Sequence, residues 1–331
     1  MVVGVKNRLS RRCFRCVLLL VALLWQCGNG TSAFAEVALE DFDRSLQAHV
    51  LAPNGSVTNK AENVGFIFVP GLGAHFDVSY FRGAKNEIFE QLGKETPVYH
   101  IWPKMNRSNP DQSAIRIENA FANAFREYPD KKWRVVAHSM GSIDLWAFFA
   151  KHPEALDRVE LTLLLQAPFE GSELSSFLLG KGKVSEVFKP FKETKDYVTA
   201  SIMRRLYYPS TGPVTMLHPQ KMKEYIAGLQ EARGTDIAKY RENMIFMGTH
   251  ENMEDTPIIN FAAPSQGILG VCGRALTRIS GRPNDGLVTI DSQLPAMSRG
   301  RQLVYPDRNH GTFTNLGGGG RALGKALSEK Y

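Results

Sequence analysis

The chain has 331 residues, 43% of them hydrophobic and 22% charged, with a formal net charge of +7. That length and apolar content suit one large α/β domain or two smaller ones with a full core, and exclude a disordered or fibrous chain. The charge is concentrated: Lys6, Arg8, Arg11, Arg12 and Arg15 account for five of the 40 basic residues, and no acid precedes Glu36.

A ten-residue apolar run at residues 16–25 follows those charges, and Ala33-Phe34-Ala35 follows the run. A basic stretch, a short apolar stretch and an A-x-A site are the parts of an export signal, so residues 1–35 are expected to be removed. The alternative is a retained membrane anchor, for which the run is short. Ser10-Arg11-Arg12-Cys13-Phe14 also resembles a bacterial twin-arginine signal. The mature chain, residues 36–331, is then exported, periplasmic or extracellular in a bacterium and endolysosomal in a eukaryotic host. Loss of five basic residues and no acids takes the net charge from +7 to +2. With no basic patch interleaved with aromatics, nucleic-acid binding is not expected. Cys13, Cys16 and Cys27 leave as well, and the remaining Cys272 cannot form an internal disulfide, so the fold must stand on its core. Cys272 reads as a buried apolar residue and not as a nucleophile. Asn54-Gly55-Ser56 and Asn106-Arg107-Ser108 are glycosylation sequons, relevant only in a eukaryotic host.

From Asn63 the pattern is strand, loop, helix, strand, repeated. Residues 64–69, V-G-F-I-F-V, form a continuous apolar run, as a strand covered on both faces does. Residues 97–102 read as a second strand. Ile117, Phe121, Ala124, Phe125 and Tyr128 recur at helical spacing. Residues 133–138 are a third strand, and residues 142–151 an apolar helix. Further strands are expected at 159–165, 244–247 and 302–305. Alternating strands and helices imply a largely parallel sheet, whose sites lie at the carboxyl ends of its strands. The interruption is residues 171–242, with 12 Lys/Arg against 8 Asp/Glu and two plausible amphipathic helices, 193–206 and 221–232. By analogy with α/β domains that carry a movable flap at this place, the stretch is expected to be a helical lid or cap that shields a cleft from water. Its plainer reading is a set of crossover helices packed on the sheet.

The most informative segment is W-R-V-V-A-H-S-M-G, residues 133–141, a strand turning abruptly into a helix with Ser139 at the corner. A serine on so tight a turn is exposed to substrate, and the crowding tolerates only small residues two before and two after it. Ala137 and Gly141 meet that demand. Such a hydroxyl is a weak nucleophile unless a neutral imidazole takes its proton and a carboxylate holds that imidazole in one tautomer. Of the eight histidines, His310 in Y-P-D-R-N-H-G, just past the last strand, is best placed. His138 is on the wrong side of the elbow, and His75 comes too early for a Ser…Asp…His order. His49, His100, His152, His218 and His250 read as surface or core residues. Asp285 in R-P-N-D-G-L-V-T is the favoured acid because a turn presents it. Glu254 or Asp255 is the alternative, and Asp307 reads as shaping the loop. An oxyanion hole needs two inward-facing amides. Met140, directly after the serine, and Leu72, in the P-G-L-G turn after the first strand, are the expected donors.

Four segments, F-V-P-G-L-G-A-H-F, A-H-S-M-G-S, Q-A-P-F-E-G-S, and N-D-G-L-V followed by R-N-H, together resemble bacterial triacylglycerol lipases and related phospholipases A1 of the α/β-hydrolase family. The similarity covers most of residues 63–315. It implies an α/β-hydrolase fold with a mostly parallel sheet, and hydrolysis of lipid or phospholipid esters by Ser139, Asp285 and His310 without a cofactor. Transient contact with a membrane or lipid interface is implied as well. An acyltransferase or thioesterase would use the same triad, and a lipid-binding protein could keep the fold without turnover. The chain departs from the family where Pro70 replaces the usual His before the oxyanion glycine and Phe169 replaces a His after Pro168. The calcium-binding Asp common two residues past the catalytic His is Thr312 here, so no calcium of that type is expected. The Gly317–Gly320 run reads as a flexible link to a last helix.

Overall fold

The computed structural model describes residues 63–72, 80–101, 110–175, 215–238, 243–251, 269, 272–274, 276–277, 279–296, 302–306, 308–314 and 319–328. The expected export signal, the first expected helix of the insert (193–206), and Glu254, Asp255, Asp307, His49 and His75 lie outside these residues.

Six strands form one sheet: β1 (Val64–Val69), β2 (Val98–His100), β3 (Lys132–His138), β4 (Val159–Leu165), β5 (Met244–His250) and β6 (Gln302–Pro306). Their order is β2-β1-β3-β4-β5-β6, and every neighbouring pair is parallel. All six residues of β1 and all seven of β4 are buried. Such runs are largely apolar because helices cover both faces of a parallel sheet, with Glu160 and Thr162 the buried polar residues of β4. Alternate side chains nevertheless go to opposite sides. Ile67 and Val69 of β1 join one core with Val135 and Ala137 of β3, while Phe66 and Phe68 join the other with Val136.

Each core is closed by its own helices. On the first face lie α2 (Pro110–Glu127), α3 (Met140–Lys151) and α4 (Pro219–Ala238), contributing Ile117, Phe121, Ile143, Phe149, Met222 and Ile226. On the second lie α1 (Arg82–Leu92) and α6 (Gly320–Ser328), contributing Ile88, Leu323 and Leu327. The short α5 (Ile290–Gln293) precedes β6. The expected helix at 221–232 is the middle of α4, which extends past it at both ends. It packs on α3 as a crossover helix between β4 and β5 does. The second strand is shorter than its apolar pattern, because its three residues pair with β1 alone at the sheet edge. The chain leaves β1 for that edge and then crosses back to β3, so the connections diverge at the carboxyl ends of β1 and β3. That divergence is where an open α/β sheet leaves a crevice. None of the described helices is long and apolar enough to cross a membrane.

Among the described residues the hydrophobic layers enclose an arginine–glutamate ion pair. Arg134 of β3 is fully buried; its Nε donates to Glu160 Oε1 of β4 at 2.7 Å and its Nη1 to the Leu327 carbonyl near the end of α6. Removing the cation alone leaves a buried carboxylate without its partner, which costs about 3–5 kcal/mol, whereas replacing both charges with apolar groups is far cheaper. Arg134→Leu is therefore expected to lower the urea-unfolding free energy by about 3–5 kcal/mol, and Arg134→Leu/Glu160→Leu to recover much of it. Equal losses in the single and double variants would show that the pair is not the cause.

Candidate active site

Ser139 stands between the last residue of β3 and the first of α3, with φ 54° and ψ −133°. An L-residue pays about 1–3 kcal/mol for such a conformation unless its surroundings enforce it. Here they do. Ser139 N–H donates to the Leu165 carbonyl at 2.8 Å, and the Ser142 N–H closes the first helical turn on the Ser139 carbonyl at 2.9 Å. Gly141 lies so close under the end of β1 that a Cβ there would meet the Val69 and Pro70 carbonyl oxygens at 2.5 and 2.6 Å. This close approach, more than any turn preference, is why position 141 is glycine. Gly71 passes equally near, since a Cβ there would sit 2.8 Å from Ser139 Cβ. The loop after β1 therefore runs directly over the serine. It places Leu72, half-buried, one residue beyond that contact. The Met140 amide belongs to the first turn of α3, where no carbonyl within the helix can accept it.

His310 follows β6 on a buried loop. Its Nε2 is 2.8 Å from Ser139 Oγ and its Nδ1 2.7 Å from Asp285 Oδ2. With a carboxylate on Nδ1 the ring proton belongs there, leaving Nε2 to accept from the serine hydroxyl. Asp285 is completely buried, and its other oxygen accepts the Leu287 and Val288 amides at 3.0 and 2.9 Å. The His310 N–H donates to the Asp285 carbonyl at 2.8 Å, so the two loops are joined through backbone as well as side chains. Gly286, at φ 102°, lets the chain turn back immediately after the acid. The structure thus brings together the serine, acid and histidine that the sequence singled out. Chemically, such a chain can draw a proton from a hydroxyl and return it to a leaving group.

The other sequence-derived candidates sit elsewhere. Cys272 is a half-buried free thiol, and burial pushes its pKa up to about 12, far from a thiolate at neutral pH. The Thr312 hydroxyl accepts the Asn309 N–H at 3.1 Å, so it shapes the histidine loop from within. His152 ends α3 beside Glu154, and His100 lies at the end of β2, where burial lowers its pKa to about 4. Among the described residues no three His, Cys, Asp or Glu side chains converge in a way that could hold a metal ion.

Two functional-site neighbours escaped the sequence reading. His138, buried behind the elbow, receives the Tyr80 hydroxyl at Nδ1 and faces Gln166 Oε1 and the His310 carbonyl with Nε2. Gln166, one residue past β4 and fully buried, is the only other non-glycine among the described residues with a positive φ, 52°. Its place at the head of Q-A-P-F-E-G-S, at a strand's carboxyl end, was the signal available for it.

A parallel sheet in this order, with the sharp serine turn after β3 and the acid and histidine on later loops, is the α/β-hydrolase fold. One solved structure agrees at the level of fold. The mature form of Bacillus licheniformis lipase BlEst2 superposes with a TM-score of 0.50 at 18% identity, over 78% of this chain and 88% of that one. The metagenomic carboxyl esterase MGS0156 gives 0.49 at 17%, over 75% and 65%, and phospholipase PlaB from Legionella pneumophila 0.44 at 13%, over 70% and 45%. No protein-family model and no curated protein sequence matches the chain.

The strain at Ser139 has a measurable consequence. Glycine adopts this conformation without penalty but loses about 0.5–1 kcal/mol through greater freedom when unfolded. Ser139→Gly is expected to be more stable than Ser139→Ala, which keeps the strain, by about 1 kcal/mol in thermal or urea unfolding. A less stable glycine variant would contradict the strain.

The His138 imidazole has a pKa pushed down to about 3, first by burial and then by the neighbouring His310. Unfolded, it takes a proton near 6.5. Between those values the unfolded chain binds more protons, so stability falls as pH drops from about 6.5 toward about 3. His138→Gln, which cannot titrate, is expected to flatten that dependence in urea titrations across the window. An unchanged slope would assign it to other groups.

Proposed function

We propose that this chain is an exported serine carboxylester hydrolase acting on lipid esters. The observation that carries the reading is the continuous chain from Ser139 Oγ through His310 to Asp285, at 2.8 and 2.7 Å, with the serine on a strained turn. Ser139 attacks the ester carbonyl while His310 Nε2 takes its proton. The Asp285 carboxylate keeps the other ring proton on Nδ1 and stabilises the imidazolium. The Leu72 and Met140 amides receive the oxygen that gains charge. His310 then gives its proton to the departing alcohol, and water repeats the sequence in reverse to release the acid from Ser139. No step calls for a cofactor.

Several further features support a lipid substrate. The Bacillus protein that shares the fold is named a lipase. The half-buried apolar residues Leu72, Met216, Leu217 and Leu294 pack against the first core, and Leu72 directly follows Gly71, which approaches the serine. In this reading the insert at residues 171–242 carries a lid that closes over an acyl chain and opens at a lipid surface, with α4 as its fixed base in the core, and residues 1–35 direct export.

The test is product analysis with residues 36–331 and the Ser139→Ala variant, offered phosphatidylcholine vesicles and emulsified triacylglycerol. The expected result is fatty acid released by the wild type, with turnover at least about 10³-fold lower in the variant. Release of 2-acyl lysophospholipid makes the protein a phospholipase A1, and release from triacylglycerol alone makes it a lipase. If neither lipid is cleaved, or the variant keeps wild-type turnover, the reading is wrong.

A further inference from the structure

We infer that His138 and Gln166 are positioning residues that set the catalytic imidazole by holding two consecutive carbonyls of its loop; this rests on the hydrolase reading above. Gln166 Nε2 donates to the Asn309 carbonyl at 2.8 Å, and His138 Nε2 donates to the His310 carbonyl at 2.9 Å. The two side chains are also tied to each other, since the same His138 N–H lies 2.9 Å from Gln166 Oε1. Gln166 Nε2 further donates to the Thr249 hydroxyl at the end of β5. One interlocked pair of side chains thus joins the ends of β3, β4 and β5 to the peptide that carries His310.

The arrangement is complete in its donors and acceptors. The Tyr80 hydroxyl donates to His138 Nδ1 at 2.5 Å, which puts the ring proton on Nε2, the side facing two oxygens. The opposite tautomer would set a lone pair against both. Burial keeps the ring neutral over the working pH range, so the donor faces the loop as a fixed dipole and not as a second charge beside His310. The His310 backbone is gripped on both sides, its N–H by the Asp285 carbonyl and its C=O by His138. Its imidazole lies 4.8 Å, centroid to centroid, from the His138 ring. The backbone at Gln166 accounts for itself in the same way. A left-handed conformation at the end of β4 turns its side chain into this cluster, and glycine, which would relieve the strain, would supply no amide.

The experiment compares wild type, His138→Asn, His138→Gln, Gln166→Gly and Ser139→Ala on a soluble short-chain p-nitrophenyl ester, with folding checked by circular dichroism. Asn can reach Tyr80 but not the His310 carbonyl, whereas Gln restores a donor near the Nε2 position. A small displacement of a reacting group costs up to about 10²-fold. His138→Asn and Gln166→Gly are expected to lower kcat by about 10- to 100-fold with KM within about twofold, and His138→Gln to recover most of the loss. The downfield proton resonance of His310 Nδ1–H on Asp285 is expected in wild type and His138→Gln, and shifted or lost in His138→Asn and Gln166→Gly. Folded His138→Asn and Gln166→Gly proteins with wild-type kcat and an unchanged resonance would overturn the proposal. If Gln166→Gly does not fold, His138→Asn against His138→Gln decides the matter alone. Failure of the underlying reading looks different: the wild type leaves the ester intact or Ser139→Ala retains its activity, while the resonance still reports on the positioning.

Discussion

The site depends on one backbone corner that resists its own geometry. Ser139 can hold φ 54° only because the chain on either side has nowhere to retreat. Behind it, β3 is locked between β1 and β4; ahead of it, α3 is buried from Met140 to Ala150 between the sheet, α2 and α4. The missing side chain at Gly141 lets the helix start beneath the carbonyls that end β1, and this tight seating points the serine outward. A strain of about 1–3 kcal/mol is small against the apolar burial of that helix, so packing offsets it readily. The conformation of the serine is in this sense a property of the core beneath it.

The histidine and the acid are held by different means. Their loops are not compressed; they are fastened by buried amides that use nearly every donor and acceptor. Gln293 accepts the Thr249 N–H and donates to the Thr249 and Val288 carbonyls, joining the acid's turn to the end of β5. The Ser172 hydroxyl donates to the Leu287 carbonyl and Ser292 to the Gly171 carbonyl, which fixes the same turn to the segment after β4. Buried networks of this kind specify one geometry because a half-made version leaves costly unpaired groups. Packing sets Ser139, and hydrogen bonding sets the histidine and the acid beside it.

Much of this was legible in the sequence, because strong periodicity and sharp turns have local causes. Continuous apolar runs announced β1 and β4, and the small residues flanking Ser139 announced the elbow. Asp285 and His310 could be chosen over their rivals by chain order and by the turns presenting them. What remained hidden depends on partners far away in the chain. Arg134 lies inside an apolar strand, where nothing nearby reveals Glu160 or the Leu327 carbonyl. His138 could be dismissed as the base from its position, but its role appears only when Gln166, Tyr80 and the His310 carbonyl surround it. Residues 171–242 carry no sharp signal in either direction, and of them only 171–175 and 215–238 are among the described residues.

The bond from Arg134 to the Leu327 carbonyl reaches across 193 positions, from the strand that leads into Ser139 to the last described helix. During synthesis, that strand exists long before its carbonyl partner emerges. Until α6 docks on α1, the second face of the sheet lacks Leu323 and Leu327, and the guanidinium lacks one of its acceptors. A nascent chain bearing the whole serine turn therefore has an incomplete interior. Non-local contacts of this kind slow folding and leave apolar surface open until they form. The surroundings of Ser139 are completed by residues made long after it, His310 beside its hydroxyl and Leu327 behind its strand.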